Sequence, residues 1–130
     1  SKGRVVIPSK FRKELQQGCV VTKGLDNCLQ ILTKKNWNQE SEKMASLPST
    51  DKTSRQLRRA LFSGAVDSSL DSAGRIQIPE NLRAYSAIKE NDDVTVTGSG
   101  PVIEIWATKT WKKIQSDSDD AFANINEVKG

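Results

Sequence analysis

The chain has 130 residues, of which 35% are hydrophobic and 28% charged, and 20 Lys and Arg against 16 Asp and Glu give a net charge of +4. This fits one modest core, or two small halves that share one, because an isolated half of about 60 residues buries too little surface to be stable. No apolar run approaches the roughly 20 residues that span a bilayer, which excludes a membrane helix and predicts a cytoplasmic protein.

The first unit of the chain begins with a turn, a strand and a short helix. Gly3 in the opening turn can adopt a positive φ without steric penalty, and the apolar run 5–7 after it is strand-like. Pro8 ends this strand and precedes a short helix predicted over 9–15.

A hairpin and two helices are predicted next. Two apolar runs around Gly-Leu-Asp-Asn predict strands at 19–23 and 28–32. A helix is predicted over 36–47, ending before Pro48. The sequence Ser-Thr-Asp at 49–51 is expected to cap the start of a second helix. The apolar positions of this second helix that are expected to face inward are Leu57, Ala60 and Leu61.

The second unit follows the order of the first. Its predicted elements are a strand over 65–70, a turn at Gly74, a strand over 76–78, a helix over 80–86 after Pro79, and hairpin strands over 94–97 and 102–106. Each unit is expected to close with a polar helix start at Trp37 or Trp111, and a last helix, or a frayed tail, is predicted over 119–128, where apolar residues recur at helical spacing. The tryptophans that lie beside apolar strand ends, and are expected in the core or at an interface, are Trp37, Trp106 and Trp111.

An internal repeat explains this order. Residues 1–12 (SKGRVVIPSKFR) align with residues 72–83 (SAGRIQIPENLR), and six of the twelve positions are identical. Residues 20–37 align with 94–111, so the offset grows from 71 to 74 residues and the second copy has a three-residue insertion. Two colinear blocks indicate a duplicated unit.

Few residues of the kinds that support catalysis are present. The chain has no His, so a Ser-His or Cys-His pair is impossible and zinc would lack its commonest nitrogen ligand. Cys19 and Cys28 match no metal motif and lie in apolar, strand-like sequence, which predicts reduced, packed thiols. We expect no enzyme activity, no catalytic residue, no metal, no cofactor and no small-molecule substrate.

The positive charge is concentrated at one end of the chain. Residues 1–37 carry eight Lys and Arg against two acids, whereas residues 71–111 carry four against six. Such a bias commonly does no more than keep a surface solvated. Beside a structured motif, however, it favours a polyanionic partner such as DNA.

These residues resemble the MraZ family. Asp71 to Arg75, followed by Ile-Gln-Ile-Pro, resembles the Asp-x-x-x-Arg signature of that family, and Ser1 to Pro8 resembles a first copy of it. The segment Leu-Pro-Ser-Thr at 47–50 and the Arg-rich sequence after it resemble the linker between the family's repeats. The resemblance covers nearly the whole chain, and two signatures in tandem are specific.

The resemblance implies an α+β fold in which two tandem AbrB-like, swapped-hairpin, β-rich halves form one compact pseudo-two-fold domain with flanking helices. The expected segments are a first half at 1–47, an inter-repeat helix at 48–62, a second half at 63–112 and a C-terminal helix or tail at 113–130. Because the family has a strand ahead of the first signature, we expect the first half to lack one strand.

The resemblance also implies a function. MraZ proteins form ring-shaped, octamer-like homo-oligomers that bind short direct repeats of double-stranded DNA. They act on the promoter of the division and cell-wall gene cluster, their own gene included, and usually repress it, which implies a nucleoid-associated protein. The alternative is an AbrB-like protein-interaction module of the antitoxin type, which would have a protein partner.

Arg4 is the first candidate for DNA contact, because a guanidinium can pair with guanine O6 and N7 or with phosphate. It could instead brace its turn. The other candidates are Lys2, Lys10, Arg12 and Lys13, of which the last three could equally form a solvated helix face. For Arg75 we expect a structural pairing with Asp71, four residues upstream. The complete set of residues assigned to the structural motif is Gly3, Pro8, Asp71, Gly74, Arg75 and Pro79.

Overall fold

The computed structural model describes residues 3–125 and shows an α+β fold. The strands are β1 (Arg4–Val6), β2 (Cys19–Lys23), β3 (Leu29–Thr33), β4 (Val66–Ser68), β5 (Arg75–Gln77), β6 (Val94–Ser99) and β7 (Val102–Ala107). The helices are α1 (Ser9–Arg12), α2 (Lys34–Ala45), α3 (Lys52–Gly64), α4 (Glu80–Tyr85) and α5 (Thr108–Ala123), with 3-10 turns at Lys13–Leu15 and Leu25–Asn27.

The strands form one large sheet and one small ribbon. The sheet has the order β4-β2-β3-β7-β6, and every neighbouring pair in it is antiparallel. The two hairpins, β2–β3 and β6–β7, join where β3 pairs with β7. The ribbon consists of β1 and β5. Since β4 pairs with the first hairpin and β5 with β1, each sheet contains strands from both halves of the repeat.

Matching contacts relate the two halves by a pseudo-two-fold axis. Ile7 N–H donates to the Gly74 carbonyl at 2.9 Å, and Ile78 N–H donates to the Gly3 carbonyl at 2.7 Å. Because these two hydrogen bonds exchange the same positions of the repeat, the predicted arrangement of swapped, β-rich halves in one domain is confirmed.

The core lies between the ribbon and the sheet. The ribbon contributes the buried side chains of Val5 and Ile76. The sheet and the short helices contribute the rest of the core, including Val21, Leu29, Ile31, Ile103, Ile105, Leu15 and Leu82. Each such side chain stabilises the fold by roughly 1.5–3 kcal/mol when it is removed from water. Burial of the ribbon's inner face therefore fixes which of its residues point outward.

The two cysteines lie in the same interior. Both are free thiols, Cys19 on β2 and Cys28 just before β3. Burial raises the pKa of Cys19 to about 11 and that of Cys28 to about 12. Both thiols are packed in the interior, as the sequence predicts.

Two helix predictions are wrong in part. The helix start expected at Trp111 and the last helix expected from 119 belong to one continuous helix that begins at Thr108, and the predicted end at Val128 lies outside the described residues. Residues 108–118 lack the continuous apolar stripe that would have predicted this helix. Its first turns are instead stabilised by Trp111, whose ring lies 5.7 Å from that of Trp106. The first inter-repeat helix begins at Lys34 rather than 36, because the Thr33 hydroxyl accepts the Asn36 N–H.

The inward face of α3 also differs from the prediction. Leu61 is buried as expected, but Ala60 is exposed and Leu57 retains 40% of its surface. The helix packs through a different set of small residues, Ser54 and Gly64, on either side of Leu61. No helix in the described part of the chain is long and apolar enough to cross a membrane.

Candidate nucleic-acid interface

Two glycines shape the turns that precede the ribbon strands. Gly3 has a φ of +77° and Gly74 a φ of +75°, as the sequence predicts. A Cβ at Gly74 would lie 2.5 Å from the guanidinium carbon of Arg12, and a Cβ at Gly3 would lie 2.8 Å from the Ile78 carbonyl. Glycine is therefore required both for the backbone conformation and for the close approach of the other half.

Two prolines end the ribbon strands. Pro8 and Pro79 occupy the N-cap positions of α1 and α4, with φ of −54° and −61°. Each has the predicted position between a strand and a short helix. The chain turns away from the ribbon at these points, so that the outer surface of the two strands is not covered by their own continuation.

The ribbon presents four side chains on one exposed face. In the antiparallel register Arg4 lies opposite Gln77, and Val6 lies opposite Arg75. Directly opposed residues share a face, and neighbours along a strand alternate between faces. Since Val5 and Ile76 point into the core, the other four point outward. We call this surface, formed by Arg4, Val6, Arg75 and Gln77, the ribbon face.

Arg75 is held by its own turn. Its Nε donates to Asp71 Oδ2 at 3.0 Å, and Asp71 Oδ1 accepts the backbone N–H groups of Arg75 and Ala73, both at 2.9 Å. The backbone hydrogen bond from Arg75, with smaller contributions from Ala73 and the guanidinium, lowers the pKa of the Asp71 carboxyl. The predicted pairing of Asp71 with Arg75 is confirmed.

Arg4 has different surroundings. It is half-buried, and within residues 3–125 it makes no salt bridge. It borders a small cleft of about 70 Å³ that Lys89 and Glu90 also line. The two arginines occupy matching positions in the repeat and lie on the same ribbon face.

The other predicted contacts are not all equally available. Lys10 and Lys13 are exposed, and Lys10 Nζ lies 5.1 Å from the centre of the Phe11 ring. Arg12 is half-buried, and its Nε donates to the Ile7 carbonyl at 2.7 Å. Its counterpart Arg83 donates to the Ile78 carbonyl in the same way, at 3.1 Å. Arg12 therefore stabilises the fold, a role that the sequence did not predict. Lys2 lies outside the described residues.

Two residues of the ribbon face, Val6 and Gln77, were not predicted from the sequence. Val6 is 58% exposed, and Gln77 is exposed as well. The available signal was the alternation of each strand, in which Arg4 and Val6 share one face, as do Arg75 and Gln77. The alternation alone does not reveal the ribbon face, because only the antiparallel pairing of β1 with β5 brings these two pairs of residues onto one surface.

The ribbon face combines chemical groups that recognise nucleic acids. Two guanidinium groups can donate to phosphate or guanine, an amide can donate and accept at adenine, and an apolar side chain can contact a thymine methyl group. Within residues 3–125, no group of three or more His, Cys, Asp or Glu side chains could hold a metal ion.

The comparison with known proteins agrees with the duplicated architecture. A family model described as "MraZ protein, putative antitoxin-like" matches residues 1–60 and again residues 61–128. The two matches cover 128 of the 130 residues and correspond to the two copies of the repeat. The family is one of regulators or antitoxin-like scaffolds rather than a known enzyme family. The chain belongs to the MraZ family.

Proposed function

We propose that this protein is a transcriptional regulator that binds double-stranded DNA sequence-specifically through the ribbon face. The observation that carries the proposal is the pairing of β1 with β5, which sets two arginines, an amide and an apolar side chain on one exposed surface. A two-stranded ribbon fits the major groove of B-DNA, which is about 12 Å wide.

Arg4 is the principal contact in this proposal. Its guanidinium lies on the ribbon face, where it can pair with guanine or phosphate. Lys10 and Lys13 are exposed and supply phosphate contacts. The excess of eight basic over two acidic residues within 1–37 attracts the DNA backbone to this end of the chain.

Membership of the family supports a proposal for the target. We propose that the protein binds short direct repeats in the promoter of the division and cell-wall gene cluster, including its own gene. It represses that promoter as a ring-shaped homo-oligomer, in the cytoplasm and associated with the nucleoid. A ring presents the ribbon face of every subunit, which supports binding to repeated DNA sites. Once one subunit is bound, its neighbours bind the adjacent repeats more readily.

A second candidate is an antitoxin-type scaffold that binds a protein. It is favoured by the exposed apolar side chains of Leu25 and Phe122, which are 73% and 79% accessible. Large exposed apolar groups are typical of protein contacts rather than DNA contacts. The two candidates differ in whether the isolated protein binds DNA.

A salt series separates the two candidates. Fluorescence anisotropy would measure binding to a random duplex and to the duplex upstream of the protein's own gene, from 50 to 300 mM salt. Regulation predicts binding to both at low salt, a steep loss as salt rises, and a preference for the upstream duplex. A protein that binds neither duplex at 50 mM salt would be the scaffold instead.

A further inference from the structure

The second half of α5 leaves the body of the protein. Trp111 packs on Trp106 and Ile114 is half-buried, but every residue from 115 to 125 is exposed. Phe122 lies near the end of this segment with 79% of its surface accessible. A helix that projects in this way buries no apolar side chain of its own, so its stability as an isolated structure is low.

An open apolar groove lies elsewhere on the same chain. It has a volume of about 320 Å³ and lies between α2, α3 and the β2–β3 turn. We call it the α2–α3 groove; its apolar lining residues are Leu25, Met44, Leu57, Ala60, Leu61 and Tyr85. Leu57 is on the same helical face as the buried Ser54 and Leu61, yet it is 40% exposed because the groove is open above it. The groove explains why the predicted inward face of α3 is incomplete.

The charges beside these two surfaces are complementary. Helix α3 carries four Lys and Arg and no acidic residue. Residues 114–125 carry three Asp and no Lys or Arg. One of the three, Asp119, lies one helical turn before Phe122 and shares its face. The groove itself is lined by one base, Lys23, and one acid, Glu40, so the positive charge that matches the acidic helix end comes from α3 beside it.

We propose that the end of α5, with Phe122 as its anchor, docks into the α2–α3 groove of a second copy of this chain. The helix tip and the groove are different surfaces of one subunit, so the contact is heterologous, and repeating it produces a closed ring or an open filament. This inference rests on the self-association in the proposed function and names the two surfaces that make it. It does not depend on DNA binding.

Cysteine cross-linking tests the contact directly. The double variant Phe122→Cys, Leu57→Cys, when oxidised, should give a ladder of covalent oligomers larger than dimers. Neither single variant should give more than dimers. The native Cys19 and Cys28 do not interfere, because they are buried and their pKa values are raised to about 11 and about 12.

A matched pair controls for chance encounters. Ser63 is exposed on the same helix as Leu57 but does not line the groove. The variant Phe122→Cys, Ser63→Cys should give no ladder. Equal ladders from both double variants would overturn the proposal, as would Phe122→Cys alone forming dimers while the Leu57 pair forms no ladder.

Sedimentation with Phe122→Ala completes the test. Because Phe122 is exposed within the subunit, its loss should leave the melting temperature of the subunit unchanged while self-association weakens about 10- to 100-fold. Binding to a single DNA site should not change. A Phe122→Ala protein that keeps its oligomeric mass would overturn the interface alone. A wild-type protein that is monomeric at 100 µM would overturn the oligomer of the proposed function as well.

Discussion

At the scale of single residues, Arg4 and Arg75 hold matching positions in the two halves but differ in the charges that neighbour them in the sequence. Arg75 pairs with Asp71 at 3.0 Å, whereas the exposed residues that follow Arg4 in the sequence include Lys10 and Lys13. The sequence predicted this difference from the neighbouring acidic residues. It could not predict that the Arg12 side chain turns inward and donates a hydrogen bond to the Ile7 carbonyl.

Because of Asp71, the stability of the folded protein should depend on pH in the acidic range. The pKa of Asp71 is lowered in the folded protein, so its contribution to stability is present above the ordinary value of 3.8 and is lost as pH falls through the lower, folded value. We expect Asp71→Ala to lower the melting temperature at pH 7 and to differ less from wild type near pH 2. Thermal melts at both pH values measure this.

The control for that prediction is Asp93→Ala, since the Asp93 side chain accepts no hydrogen bond within residues 3–125. Its melting temperature should follow that of wild type at both pH values. If Asp71→Ala and Asp93→Ala behave alike, the hydrogen bonds that Asp71 accepts do not stabilise the turn.

At the scale of elements, the sequence predicted the ribbon strands, both hairpins and the short helices after Pro8 and Pro79, because these depend on local turn residues and on alternation. It divided α5 into a helix start at Trp111 and a separate helix from 119, and it misplaced the exposed side of α3, because both depend on tertiary contacts. Helix α5 is fixed at its start by the ring of Trp111 against Trp106, and Leu57 is exposed where a groove stays open. The segment boundaries at 47, 62 and 112 stay predictions.

The close approach of the two halves at Gly74 can be tested by substitution. Gly74→Ala must adopt a positive φ and displace the Arg12 side chain, so we expect a loss of about 2 kcal/mol or more in the free energy of unfolding. Gly100→Ala is the matched control, because Gly100 has a φ of +63° but no atom within 4 Å of an added Cβ. It should cost about 1 kcal/mol. Urea unfolding of both variants gives the comparison, and equal losses would show that Arg12 moves freely.

At the scale of the whole molecule, the duplication has not produced two equal surfaces. The ribbon face has Val6 in one half where the other half has Gln77, although the strands pair almost symmetrically. A DNA-binding surface whose two halves differ is suited to a DNA site that is not palindromic. This agrees with the proposed binding to direct repeats, in which each subunit contacts one short site in the same orientation.

Spacing of the repeats should therefore govern affinity. We expect three direct repeats about 10 base pairs apart to bind far more tightly than one repeat, because neighbouring subunits can then bind to the same face of the duplex. Moving the repeats out of phase by half a helical turn should remove most of that gain. Gel shifts with the three probes measure it; equal affinity for all three would contradict simultaneous binding by several subunits.

The most direct measurement is DNA affinity of Arg4→Ala beside Arg75→Ala and Lys113→Ala in the same gel-shift and thermal-melt series. Losing one base contact should weaken specific binding by about 1–3 kcal/mol per subunit bound, so Arg4→Ala should lose specific binding while its melting temperature stays near that of wild type. Lys113→Ala, which removes an equal charge from an exposed position on α5, should bind almost as wild type does. Arg75→Ala should melt earlier and lose less affinity than Arg4→Ala. If Arg4→Ala binds as wild type and Arg75→Ala does not, the DNA contact lies in the other half of the ribbon face.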